Sequence, residues 1–327
     1  MRVTLLLPPL KRFSGSSGTI ARWVARGDRI AAAKPGREEA LRACFKFIGN
    51  TLPVAALTHS LDAHEEVDVQ WLRCDPAYVI ADAVTLRLLA CGDVALSQAD
   101  AEQLAQPLKP LFGDAGFPLE VVRPHRWYLR CPRDAKLPRF STPDDALGDD
   151  LARHLPDGDN ARQWRRLLNE AQIILTQHPI NALRMQRGMA PVNSVWLWGA
   201  GALPAWVKSD FDCVVSGDEI VTALAKRAGI DVESLPDDAD AARCAAAVHD
   251  FAIDKASGVA AAEKRLLIDL AHRRDIAQLE DTWAAAIHSA LGRKGFSELS
   301  LRFESGECVS VKPAHRWRIW RRIKPLA

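Results

Sequence analysis

The sequence predicts an α/β fold: a core built on a parallel sheet flanked by helices, with a smaller α+β domain inserted. Three observations carry this prediction. A short apolar run at residues 3–7 is followed by an amphipathic segment at 19–26, so a strand leads into a helix. Between residues 67 and 130 short alternating segments mix with few long helices. After residue 161 long helical periods alternate with short apolar runs, the order that produces parallel strands.

The elements follow in order. "VTLLL" (3–7) reads as a first buried strand, "SGSSG" as a loop and 19–26 as a helix, with a second helix expected over 37–47. "VDVQWLR" (67–73) alternates as a strand does, and "TLRLLA" (85–90) and "HRWYLR" (125–130) are short extended segments. Between those two, Ser97 with Asp100 three residues later has the form of a capping box. The Pro- and Asp-rich stretch 143–160 connects to a helix over 161–177. Its Trp164, Leu167, Leu168, Ala171, Ile174 and Leu175 share one face.

Pro179 opens another helix, and "SVWLW" (194–198) reads as a strand that stops at a Gly199-Ala200-Gly201 turn. "DCVV" (212–215) is a strand, and the helix after it is expected to be capped by Ser216 and ended by Gly229. A strand near 245–248, helices over 260–272 and 276–291, and a hairpin over "LSLRF" and "ECVSV" complete the reading.

Composition narrows the function classes. At 327 residues, 48% hydrophobic and 26% charged, the chain has the make-up of a soluble globular protein. Lys+Arg 43 against Asp+Glu 41 leaves +2, too balanced for nucleic-acid binding by the whole surface. Only the terminal "RWRIWRRIKP" (316–325) is locally basic and aromatic. It reads either as a partner-binding tail or as a segment lying over its own domain. No apolar run reaches the roughly 20 residues of a membrane span, and the first run is too short for a secretory leader. Seven scattered cysteines without a C-x-x-C pair point to reduced thiols, so the expected location is cytoplasmic.

Several residue groups are candidates for chemistry. G-x-G at Gly199 and Gly201 reads as a structural turn or as a phosphate-facing loop, and lacks the third glycine of a dinucleotide fingerprint. His178, Asn181 and Arg184 are spaced three apart, so one helix face presents all three, either to an anion or as braces to a neighbour. His249, Asp250 and Asp254 resemble a metal set, but no second cluster completes the ligand count. An anion at Ser216 and Gly217 is disfavoured by Asp218 and Glu219, which already favour the same helix dipole.

The order of motifs carries a resemblance. "RCDPAYVIADAVTLRLLACGDVALSQADAEQL", "HRWYLR", "TPDDALGDDLARHLPDG", "LLNEAQIILTQHPINALRMQRGMAPVNSVWLWGAG" and "DCVVSGDEIVTALAKRAGID" resemble the archaeal-type cofactor-independent phosphoglycerate mutases, in the same sequence order. More closely still, the chain resembles the bacterial RpfE regulatory proteins. The resemblance covers about residues 70–232. It implies an alkaline phosphatase-like core formed by 1–70 and 161–327, with 71–160 inserted.

In the mutase family a serine takes the phosphoryl group, aspartates and histidines bind two metals, and arginines hold the substrate. Here Pro8 and Pro9 stand where a carboxylate is expected, and Leu52 and Pro53 where serine and aspartate are expected, with Thr51 the nearest hydroxyl. Asp254 has no histidine after it, and "LRFESGE" replaces the last metal pair. Arg73, Arg126, Asn181 and Arg184 match positions that meet carboxylate and phosphate, and Gly199 and Gly201 would face the same cleft.

The resemblance therefore implies a protein without mutase activity, with no catalytic residue, no metal and no cofactor. It would regulate through a small phosphorylated or carboxylate metabolite, or a protein partner, held by Arg73, Arg126, His178, Asn181, Arg184, Gly199 and Gly201. The arginines could instead be taken up by Asp75, Asp82 and Glu170. The alternative is a Mn-, Zn- or Mg-dependent mutase or phosphatase with ligands among Asp62, His64, Asp75, His249, Asp250 and Asp254. A nucleic-acid-binding regulator is the third reading.

Overall fold

In the computed structural model of the chain the described residues are 1–15, 17–49, 51–63, 69–82, 85–236, 264–292 and 296–322. Their strands, in chain order, are β1 (Arg2–Leu7), β2 (Asp28–Ile30), β3 (Lys46–Phe47), β4 (Val69–Ala81), β5 (Leu86–Cys91), β6 (Leu119–Arg123) and β7 (Arg126–Pro132). They continue with β8 (Ser194–Ala202), β9 (Val207–Lys208), β10 (Cys213–Ser216), β11 (Asp231–Ser234), β12 (Arg265–Asp269), β13 (Glu298–Phe303) and β14 (Cys308–Val311). The fold is α/β with a parallel-rich sheet. The chain divides into two compact units, Met1–Ile48 with Ala205–Ala327, and Gly49–Pro204.

The first unit holds the sheet β11-β10-β12-β1-β13-β14-β2, parallel from β11 to β13 and antiparallel at β14 and β2. Alternation puts Val3, Leu5 and Leu7 of β1, Leu266 and Ile268 of β12, and Leu299, Leu301 and Phe303 of β13 into one apolar cluster. Ile20 and Trp23 of the helix Thr19–Arg26 complete it, with Leu279, Trp283 and Ile287 of the helical stretch 276–290. The Glu280 carboxylate accepts the backbone N–H groups of Thr19 and Ile20 at 2.7 and 3.1 Å, so a buried charge closes that helix N-terminus.

The second unit holds β5-β4-β7-β6, with β8 also paired to β4. Trp164, Leu167, Ala171 and Leu175 of the helix Ala161–Thr176 pack into the same cluster as Leu72, Trp127, Leu129 and Leu197 of this sheet. The expected boundaries at 71 and 160 are therefore replaced by Gly49 and Pro204. β8 pairs antiparallel with β4 from Gln70↔Ala202 to Ala77↔Ser194, which draws the intervening helices into this unit.

Other expectations change for local reasons. Residues 194–198 form a strand, but in the second unit's sheet and not in the parallel one. The Gly199-Gly201 turn is instead an irregularity inside β8, where the register shifts from Trp71↔Gly201 to Arg73↔Trp198. Gly199 has φ 68° and Gly201 φ 157°. A Cβ on either would stand 2.8 Å from Val54 Cβ or 2.6 Å from Pro53 Cβ, so both serve close packing against the chain at 53–55.

The helix expected over 260–272 is β12 within the described residues, because "RLLID" has the length of a buried strand. The helix expected over 37–47 stops at Arg42, and Lys46–Phe47 pairs with β9. Asp218, not Ser216, caps the helix Glu219–Arg227, its Oδ1 accepting from Val221 N at 2.9 Å. The strand expected at 245–248 lies outside the described residues.

Candidate functional site

The carboxyl ends of the parallel strands gather a charged cluster in the first unit. β10 ends at Ser216, followed by Asp218, β12 ends at Asp269, and Glu304 follows β13. Such strand ends are where open α/β sheets place their sites. Arg37, at the start of the short helix Arg37–Arg42, reaches into the middle. Its Nη2 lies 3.1 Å from Asp218 Oδ2 and 3.5 Å from Asp269 Oδ2, and its Nη1 lies 3.0 Å from Glu304 Oε1. Ser216 Oγ donates to Asp269 Oδ2 at 3.0 Å and accepts from Asp218 N at 2.9 Å, fixing both carboxylates relative to each other. The Asp269 side chain is 2% exposed, so its charge requires this compensation.

Electrostatics follow from the geometry. Burial alone would raise the Asp218 carboxyl, but the His272 hydrogen bond and the charges of Arg37 and His272 outweigh it and hold it well below its usual range. His272 Nε2 lies 2.7 Å from Asp218 Oδ2, and that hydrogen bond raises the imidazole above its ordinary value despite partial burial. Against three carboxylates the cluster thus holds one permanent cation and one that titrates.

A stability consequence follows. The raised His272 value means that its contribution is complete below about pH 6.5 and disappears as pH rises through the folded-state value. His272→Ala is expected to cost more at pH 5.5 than at pH 9 in urea unfolding. The cost stays below about 1 kcal/mol, because the side chain is 53% exposed. An equal or larger cost at pH 9 contradicts the pairing.

The donor chemistry of Asp218, Asp269 and Glu304 suits a hard divalent cation, but the guanidinium holds the position among them that a shared cation would take. Among the described residues no group of three or more His, Cys, Asp or Glu side chains is arranged to hold a metal ion. As folded, these residues do not fit one. Of the alternative ligands, Asp62 and Asp75 are paired with arginines, while His64, His249, Asp250 and Asp254 lie outside the described residues.

A second polar cluster lies inside the second unit. Arg73 Nε donates to Asp75 Oδ1 at 2.8 Å, and its guanidinium lies between the rings of Tyr128 and Trp198, 5.3 and 5.2 Å from their centroids. Trp198 Nε1 donates to Asp75 Oδ2 at 2.7 Å. Thr58 Oγ1 accepts from Arg73 Nη1 and from the Tyr128 hydroxyl at 3.3 and 3.1 Å. Asp62 Oδ1 accepts from Arg126 Nη2 at 2.8 Å and from Arg123 Nε at 3.1 Å. Burial pushes the Tyr128 hydroxyl up to about 12, so it remains a donor at neutral pH.

The structure brings Arg73 and Arg126 into this one network and leaves the other expected residues elsewhere. Arg184 is spent on the backbone carbonyls of Ala190, Ala95 and Val94 at 2.9, 3.0 and 2.5 Å. The Asn181 amide donates to Leu175 O and Val192 O and accepts from Val192 N, bracing two loops. His178 Nδ1 accepts from Ile180 N at 3.3 Å and caps the helix Pro179–Gln186. These three therefore have internal partners in place of the expected anion, while Gly199 and Gly201 serve packing. Asp75 does pair with Arg73, but Arg126 pairs with Asp62, which was not among the expected acids.

Sequence reading missed Arg37, Asp269, His272 and Glu304. The usable signal was "RLLID", an apolar run of strand length ending in a carboxylate, with a histidine three residues later.

No protein-family model matches the chain. A segment of 143 residues is 36% identical to the Geobacter sulfurreducens protein named Probable 2,3-bisphosphoglycerate-independent phosphoglycerate mutase, covering 42% of this chain and 36% of that protein. The 2,3-bisphosphoglycerate-independent phosphoglycerate mutase of Methanothrix thermoacetophila is 36% identical over 77 residues, 24% of this chain and 19% of that one. The chain thus spans about a third or less of the length of these curated relatives. Among solved structures, the cofactor-independent phosphoglycerate mutase from Thermoplasma acidophilum aligns with a TM-score of 0.44 at 17% identity, over 95% of this chain and 89% of that one. A Pyrococcus horikoshii protein aligns at 0.48 and 11%, over 95% and 87%. What these comparisons establish is that part of this chain is similar in sequence to proteins named as cofactor-independent phosphoglycerate mutases.

Proposed function

We propose that this chain is a non-catalytic binding protein on a phosphoglycerate mutase-like, alkaline phosphatase-like framework. It acts in the cytoplasm as a regulator of the RpfE type, through a small anionic ligand or a protein partner. The observation that carries this reading is Arg37 seated among Asp218, Asp269 and Glu304. Phosphoryl transfer by a two-metal machine needs cations whose coordination can turn toward substrate, and a guanidinium held by three carboxylates supplies neither open coordination nor an activated water. Leu7, Pro8 and Pro9 support it further, because the central strand β1 delivers no carboxylate or hydroxyl at its carboxyl end. The ligand side rests on the second unit, where Arg73 pairs with Asp75, and Arg123 and Arg126 both pair with Asp62.

The second reading, a Mn-, Zn- or Mg-dependent mutase or phosphatase, is favoured by the names of the relatives. An assay of the purified chain for interconversion of 3- and 2-phosphoglycerate, with Mn2+ or Zn2+ added, separates the two. No turnover above background is expected. Turnover that Asp269→Asn abolishes would establish the enzyme.

A further inference from the structure

A cavity of about 330 Å3 lies in the first unit against the β1, β12 and β13 region of the sheet, and neither cluster above uses it. Its floor is unusual for a parallel sheet. Strands covered on both faces are apolar on both, yet β13 alternates, with Leu299, Leu301 and Phe303 in the core and Glu298, Ser300 and Arg302 lining the cavity. In register, Arg2, Arg265 and Glu298 form one row across three strands, and Thr4 pairs with Ser300 in a later one. The polar side chains of three adjacent strands therefore face a cavity where a parallel sheet usually faces a packed helix.

The charge of that cavity is one-sided. Arg2, Lys46, Lys208, Arg265 and Arg302 line it against two carboxylates, Asp210 and Glu298. Both carboxylates already have partners, Glu298 at 3.6 Å from Arg2 and Asp210 at 3.4 Å from Arg265. Among the described residues no carboxylate lies within ion-pair distance of Lys46, Lys208 or Arg302, and Lys208 Nζ sits 5.4 Å from the centroid of the Trp206 ring. The ribbon β3–β9 also sets Lys46 directly opposite Lys208. Like charges opposite each other weaken a strand pair, so an anion shared by the two ammonium groups would turn an unfavourable register into a favourable one. The volume is at the lower end of the range of about 300–1,000 Å3 for small-molecule sites.

We propose that this cavity binds a small phosphorylated molecule with two or more negative charges, held by Lys46, Lys208 and Arg302. The phosphoryl group suits compact ammonium donors and one guanidinium fork. None of these residues belongs to the second-unit network, so the site stands or falls independently of the function proposed above.

Calorimetric titration of the full chain with inorganic pyrophosphate tests it. The expected result is saturable binding near one equivalent that weakens as NaCl is added. Lys46→Gln/Lys208→Gln, both exposed positions, is expected to weaken it at least about tenfold, and Arg302→Gln likewise. Lys109→Gln/Arg162→Gln removes the same charge from exposed positions in the second unit and is expected to change nothing. Absence of saturable binding at millimolar pyrophosphate overturns the proposal. So does wild-type affinity in both cavity variants, or an equal loss in the Lys109/Arg162 control.

Discussion

Arg37→Met is expected to cost about 3–5 kcal/mol at neutral pH, because it leaves partly and fully buried carboxylates facing each other with their shared cation gone. The loss should be strongly pH-dependent in a defined direction. In the wild type, Asp218 is held below its usual range, so its favourable contribution is present above about pH 4 and is lost as pH falls through its depressed value. Without Arg37 the Asp218 carboxyl loses one of the charges that hold it down, and the penalty fades as acidification protonates it. Urea unfolding of both proteins at pH 7.5 and pH 4.5 should therefore show a difference that shrinks toward acid. A difference below 1 kcal/mol at pH 7.5, or one independent of pH, would mean that the guanidinium does not hold the cluster together.

Arg73→Met is expected to cost about as much, 3–5 kcal/mol, for a related reason. Asp75 is 2% exposed, and after the substitution only the Trp198 indole, among the described residues, would still donate to its carboxylate. The burial of Arg73 between Tyr128 and Trp198 adds a packing loss. Arg73→Met/Asp75→Asn should recover a large part of the single-variant loss, because the uncompensated charge is removed with its partner. A neutral Arg73→Met, or no recovery in the double variant, would show that the bond between Arg73 and Asp75 contributes little.

Much of the fold was legible because its signals are local. The face of Trp164, Leu167, Ala171 and Leu175 marks its helix without reference to anything distant, and the Ser97 cap appears as expected, accepting from Asp100 N at 3.1 Å. The first strand and the closing hairpin were equally clear. What could not be read was pairing across long separations. "SVWLW" is a strand in either sheet, and only its register with residues 70–77 decides which. "RLLID" carries no period that separates a buried strand from a buried helix turn.

The site was less legible than the fold for the same reason. Arg37 meets carboxylates at 218, 269 and 304, none of which shares a local motif with it. Arg184 stood in a recognisable pattern with His178 and Asn181. The carbonyls that consume it belong to residues 94, 95 and 190, and carbonyl acceptors leave no trace in side-chain identity. Arginine spacing alone therefore could not separate a ligand fork from a loop brace.

The most direct measurement is a calorimetric titration of the metal-free, purified chain with Mn2+, beside the same titration of Asp269→Asn. If Arg37 fills the place of a cation among Asp218, Asp269 and Glu304, neither protein shows a saturable site up to millimolar Mn2+. A stoichiometric site in the wild type that Asp269→Asn removes would contradict this, and would place metal chemistry at the carboxyl edge of the sheet.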